Sequence, residues 1–63
     1  MSDKAAQARE EGNALFRAGN MAGAVEKYSE CIRLQPDIKH ENHLASLKNR
    51  AACYLKLVRF FSF

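Results

Sequence analysis

No apolar run among these 63 residues approaches the roughly 20 needed to span a bilayer, so no membrane segment is expected. The opening MSDKAAQAREEG is charged and lacks the apolar core of a secretion signal. Cysteine is scarce: Cys31 and Cys53 form no Cys-x-x-Cys pair and sit inside apolar periodicity, as buried small hydrophobes do. Together these absences point to a reducing, cytoplasmic setting. The two histidines, His40 and His43, flank Glu41-Asn42 with no thiolate or carboxylate cage around them. They read as solvent-facing loop residues, not as metal ligands. There is no nucleophile elbow and no phosphate-cradling glycine loop, and neither cysteine has an activating base within helical reach. No enzyme and no cofactor are expected. Lys and Arg outnumber Asp and Glu by 10 to 7, but they are dispersed and form no basic stripe interleaved with stacking aromatics, which argues against nucleic acid.

What remains is a chain with 48% hydrophobic residues, ordinary for a globular protein. Its size is below the roughly 70–80 residues at which one core supplies more than about 3–5 kcal/mol, so it reads as one small unit or part of an array. Ser2-Asp3 offers a helix start, because either side chain accepts from the free amides of a first turn. Strong helix formers follow from Lys4 to about Ala18, with Ala5, Ala8, Gly12, Leu15 and Phe16 on one stripe. Gly12, on that stripe, reads as a packing notch for another backbone. Gly19-Asn20 ends this helix. A second helix is predicted from Met21 or Ala22 to Leu34, with Met21, Ala24, Val25, Tyr28, Cys31 and Ile32 facing inward. On its other side, Glu26 and Glu30 are expected to pair with neighbouring cations. Pro36 stops it, and so short a turn folds the two helices antiparallel. QPDIKHEN is a polar connector in which Ile38 is expected to tuck against the hairpin. A third helix runs from about Glu41 or Asn42 to at least Val58, with Leu44, Leu47, Ala51, Tyr54, Leu55 and Val58 as its apolar stripe. The sequence then closes RFFSF.

The hairpin Glu11–Pro36 resembles a tetratricopeptide repeat, whose pattern places a Gly in helix A, an Ala, an aromatic and a small residue in helix B, and a closing Pro. Gly12, Ala24, Tyr28, Cys31 and Pro36 stand at those separations. Ala8, Glu11 and Leu15 depart from the usual large aromatic, Leu and Tyr. The third helix resembles helix A of a second repeat, with Asn49-Arg50-Ala51-Ala52 matching the N-R-(A/S)-A of second repeats in co-chaperones, Ala51 at the notch and Tyr54 at the aromatic position. The resemblance implies an all-α chain of three helices, about one and a half repeats: 4–36 as the first repeat, 37–43 as connector, 44–60 as helix A of the second, and 58–63 as an atypical aromatic tail. The expectation is a truncated form of a longer co-chaperone, similar to the myosin-directed UCS proteins or to mitochondrial-import co-chaperones.

Within that family, one subset binds the acidic C-terminal tail of heat-shock protein 70 or 90 through a two-carboxylate clamp. The matching positions are Arg9 and Asn13 in the first helix and Asn49 in the third, with Phe16, Arg17, Lys48 and Lys56 near the groove by helical spacing. Asn13 and Asn49 are poor helix formers inside otherwise helix-favouring segments. The resemblance thus implies a non-enzymatic peptide-binding module whose partner is an acidic chaperone tail. The alternative is a structural or oligomerisation fragment that associates through exposed apolar helix faces and the aromatic tail.

Overall fold

Helix α1 (Lys4–Arg17) begins where Asp3 turns its carboxylate onto the free amide of Ala6, which donates at 3.1 Å. It ends where Gly19 adopts a positive φ of 85°. There the Asn20 amide donates to the Leu15 carbonyl at 2.9 Å and the Gly19 amide to that of Phe16 at 3.1 Å, a Schellman closure that satisfies the last carbonyls. Asn20 is also the N-cap of α2 (Met21–Leu34), its side chain accepting from the Gly23 amide at 2.9 Å. The turn between the helices is therefore three residues long, and each of its backbone amides is hydrogen-bonded. The computed structural model describes residues 3–61; Met1, Ser2, Ser62 and Phe63 lie outside them. Among the described residues there are three helices, the third being α3 (Glu41–Phe61).

The α1–α2 hairpin closes on two small clusters. Ala5 and Ala8 meet Cys31 near one end, where small side chains let the helices approach. Ala24, Tyr28 and Cys53 form the other, flanked by half-buried Leu15, Phe16, Met21 and Val25. Gly12 admits the Tyr28 ring rather than another backbone: a Cβ there would lie 2.7 Å from Cε1. Glu11 stands where the family pattern has Leu, and it reaches across the hairpin to Lys27 at 3.5 Å. Lys27 also approaches Glu30 at 3.8 Å. These pairs are half-exposed and contribute only about 0–1 kcal/mol.

The connector is tied by its own side chains. Gln35 Oε1 accepts from the Asp37 amide at 3.2 Å and Asp37 Oδ1 from the Lys39 amide at 3.0 Å. Two expectations about this stretch are corrected. Ile38 is exposed and does not tuck against the hairpin. The histidines are not solvent-facing loop residues. His43 lies on α3, is buried, and its Nδ1 sits 2.7 Å from the Gln35 carbonyl. His40 is half-buried, and its Nδ1 accepts from the Asn42 amide at 3.1 Å, capping the first turn of α3.

Helix α3 packs mainly on α2 and only lightly on α1. It does so through polar and small residues: Asn42, His43, Ser46 and Cys53 are its buried positions. The Cys31 thiol donates to the Asn42 carbonyl at 3.6 Å, and Arg50 Nη1 donates to Ser29 Oγ at 3.1 Å. The predicted stripe of Leu44, Leu47, Ala51, Tyr54, Leu55 and Val58 faces away from the hairpin and is exposed. Ala51 and Tyr54, assigned the notch and aromatic positions, are exposed on that face. The part of the RFFSF segment within the described residues continues α3, with Phe60 exposed, and does not fold back onto it.

Candidate functional site

One turn of α1 and one of α3 face the same side of α2 and enclose a cleft of about 120 Å³. Asn13, Phe16, Arg17, Tyr28 and Asn49 line it. Asn13 and Phe16 are three residues apart on α1 and so share a face. The weak helix former Asn13 is held in place by tertiary hydrogen bonds. Its Oδ1 accepts from the Tyr28 hydroxyl and, at 3.3 Å, from Asn49 Nδ2. That arrangement occupies the Asn13 carbonyl oxygen. Among the described residues, no acceptor takes the Asn13 Nδ2 hydrogens, so the amide offers donors to the cleft.

The surroundings of the cleft are cationic. Arg17 lines it directly. Lys56 Nζ lies 5.7 Å from the centroid of the Phe16 ring, within cation–π range, which fixes the ammonium beside the opening. Arg9 is half-buried one turn before Asn13, and its Nε is enclosed without a hydrogen-bond partner. Burial pushes the Tyr28 phenol above its ordinary pKa, helped by the neighbouring Cys53. The Asn49 amide and the charges of Arg17 and Arg9 oppose that shift. Burial likewise raises the Cys53 thiol, with Lys56 opposing. Phenol and thiol therefore stay neutral, and the field in the cleft belongs to the cations. Among the described residues, no group of three or more His, Cys, Asp or Glu side chains is placed to hold a metal ion, and no helix is long and apolar enough to cross a membrane.

Of the seven residues singled out by sequence, Asn13, Phe16, Arg17 and Asn49 line one cleft, and Lys56 flanks it through Phe16. Arg9 lies near enough to act electrostatically on the Tyr28 hydroxyl. Lys48 is exposed on α3, adjacent in sequence to Asn49, and does not line the cleft. Tyr28 is the residue sequence reasoning missed. Its ring fills the hairpin as expected, but its hydroxyl also orients Asn13. The signal available was a tyrosine at a position where a purely apolar aromatic would fill the same space.

No family model and no solved structure matches the chain. Among curated proteins, the sperm-associated antigen 1A of Danio rerio is 46% identical over 52 residues, covering 82% of this chain and 11% of that protein. The DnaJ homolog subfamily C member 7 homolog of Schizosaccharomyces pombe is 45% identical over 51 residues, covering 81% of this chain and 10% of its own length. The heat shock protein sti1 homolog of the same yeast is 38% identical over 56 residues, 89% of this chain and 9% of that protein. The chain thus spans about a tenth of the length of these relatives. With a helical hairpin built on Gly12, Ala24, Tyr28, Cys31 and Pro36, and with relatives that carry tetratricopeptide repeats, this chain belongs to the tetratricopeptide-repeat family.

Proposed function

We propose that this chain is a non-enzymatic protein-interaction segment that receives the acidic C-terminal peptide of a heat-shock protein 70 or 90. The observation that carries the reading is the meeting of Asn13 and Asn49, from two successive A-type helices, in one cleft ringed by cations. Asn13 is oriented by Tyr28 and Asn49 so that its Nδ2 hydrogens remain available to a carboxylate. Arg17 and Lys56 supply a field that favours an anionic ligand at that point, and Arg9 adds to it from one turn away. Phe16 gives an apolar surface for a side chain of the bound peptide. Lys48 contributes from the exposed side of α3 as a long-range charge, weaker than the others because solvent screens it. Relatives that are by name a heat shock protein and a DnaJ homologue support a chaperone setting.

The family's clamp draws two further cations from a third repeat, and those are not among these 63 residues. At about 1.5–3 kcal/mol per charge-assisted hydrogen bond, a site that included both would bind roughly a hundredfold to ten-thousandfold more tightly than these 63 residues by themselves. The test is therefore suited to weak affinity. A peptide ending Glu-Glu-Val-Asp is titrated into the isotopically labelled chain, and the side-chain amide signals of Asn13 and Asn49 are followed by NMR. Saturable shifts at both amides are expected, lost when the peptide ends in a carboxamide and lost in an Asn13→Ala plus Asn49→Ala variant that retains its helicity. Undiminished binding by that variant, or equal binding of the carboxamide peptide, would sink the assignment.

A further inference from the structure

The amide pair in the cleft exists only at one rotation of α3 about its own axis. Asn49 Nδ2 reaches Asn13 Oδ1 at 3.3 Å, near the long end of a hydrogen bond. A side-chain tip stands about 5–6 Å from a helix axis, so turning α3 by about 20° would carry the Asn49 amide through about 2 Å and part the two. Packing of α3 on α1 is too light to fix that angle. The face that α3 turns to α2 is smooth on either side of Asn49. Ser46 and Cys53 are small and fully buried, and the Ser46 hydroxyl is enclosed without a hydrogen-bond partner. Side chains of that kind bring two helices close without selecting a rotation.

Arg50 stands four residues after Ser46 and three before Cys53, on the same side of α3. Its Nη1 donates to Ser29 Oγ on α2 at 3.1 Å. Tyr54, one turn further along α3, braces the guanidinium: its ring centroid lies 5.9 Å from Arg50 Cζ, within cation–π range. Two other polar ties, the Cys31 thiol to the Asn42 carbonyl and His43 to the Gln35 carbonyl, lie at the start of α3. Arg50 acts at the turn that carries Asn49. Consecutive helix residues point about 100° apart, so Asn49 reaches α1 while Arg50 reaches α2, and the two bonds together fix α3 between its neighbours.

We infer that Arg50 is a positioning residue for the cleft: its bond to Ser29 sets the rotation of α3 that brings Asn49 to Asn13. Arg50 does not itself line the cleft and acts through Asn49. Its effect on ligand binding rests on the acidic-tail reading, whereas its effect on the Asn13–Asn49 pair does not.

The test variant is Ser29→Ala, which removes the acceptor, keeps the Arg50 charge and places a better helix former in α2. In NMR spectra of the ligand-free chain, the Asn49 side-chain amide should shift and its nuclear Overhauser contact with the Asn13 side chain should be lost. Circular dichroism should show unchanged helicity. Ser29→Thr keeps a hydroxyl and should restore both NMR signals. In titrations with the peptide ending Glu-Glu-Val-Asp, Ser29→Ala should weaken binding at least about threefold, and Ser29→Thr should bind as the wild type does. A bond that only stabilised the fold would lower the urea midpoint of Ser29→Ala and leave the Asn49 signals and the peptide affinity unmoved, which overturns the inference. So does a loss of the Asn13–Asn49 contact in Ser29→Thr as complete as in Ser29→Ala. Should the wild-type chain fail to bind the peptide, the acidic-tail reading falls, and the Asn49 signals of the two variants still decide for or against Arg50.

Discussion

Replacing Gly12 with Ala tests how the hairpin is held together, because two opposed effects act on one methyl group. Mid-helix, Ala is favoured over Gly by about 1 kcal/mol. At this site the added Cβ would stand 2.7 Å from Tyr28 Cε1, 2.8 Å from Cδ1 and 3.1 Å from Cζ. The obstacle is a rigid ring that is 1% exposed, not the end of a flexible chain. Overpacking of this kind costs about 1–3 kcal/mol. The ring is also tethered by its hydroxyl to Asn13, and moving it forfeits a bond worth about 0.5–1.5 kcal/mol. The net expectation is a loss of about 0.5–3.5 kcal/mol, a large share of the roughly 3–5 kcal/mol a core of this size supplies. Urea unfolding followed by far-ultraviolet circular dichroism reads it directly. The sign should reverse on a Tyr28→Leu background, where no ring opposes the methyl and Gly12→Ala gains up to about 1 kcal/mol. A wild-type-like or higher midpoint for Gly12→Ala alone would refute the notch, and so would the same loss on both backgrounds.

Three further expectations follow from individual contacts. Asn20→Ala removes the acceptor for the Gly23 amide and should destabilise the chain by about 1 kcal/mol, whereas Asn20→Gly should cost only a few tenths; equal urea midpoints for the two variants would contradict the capping role. Tyr28→Phe keeps the ring but deletes the donor to Asn13, so about 0.5–1.5 kcal/mol of stability should go. The Asn13 side-chain amide should also broaden in NMR spectra, and an unchanged signal would count against Tyr28 as its orienting group. Stability should be level at neutral pH and fall as pH rises past 9.0 and then 10.0, the ordinary pKa values of the Cys53 thiol and Tyr28 phenol. Burial raises both groups in the folded chain, so the unfolded chain sheds these protons first and gains from alkali. Cys53→Ala should delay the fall to the phenol range, and a urea midpoint unchanged from neutral pH through 10.0 would argue against buried neutral forms.

The hairpin was legible because its signals are local. Asp3, Gly19-Asn20 and Pro36 punctuate it, and apolar residues between them repeat every three or four positions. The docking of α3 was not. Periodicity assigns apolar residues to the interior, yet α3 meets α2 through Asn42, His43, Ser46 and Cys53. Of those groups His43 is matched by the Gln35 carbonyl, whereas the Ser46 hydroxyl is enclosed without a hydrogen-bond partner. A helix in a repeat array has two sides that meet other helices, and sequence does not say which comes first. In the cleft, Asn13 and Asn49 stood out as poor helix formers at positions the family resemblance marks. Tyr28 did not, since a core aromatic already accounts for itself by volume. Lys48 and Lys56 looked equivalent by spacing, and only the Phe16 ring separates their roles, by drawing Lys56 to the rim.

Asn20 closes α1 with its backbone and opens α2 with its side chain, which makes the first turn a joint of fixed length. Adding one residue there would swing every α2 side chain by about 100° relative to α1 and deprive both helices of a terminus. In the stretch from Gln35 to His40 the same insertion would only lengthen a locally braced, mostly exposed loop, a change of a few tenths of a kcal/mol in closure entropy. Chains descended from a common ancestor should therefore differ in length between α2 and α3 and hold the Gly19-Asn20 joint constant. The hairpin would then be inherited as an indivisible part, while its spacing to whatever follows stays free to drift.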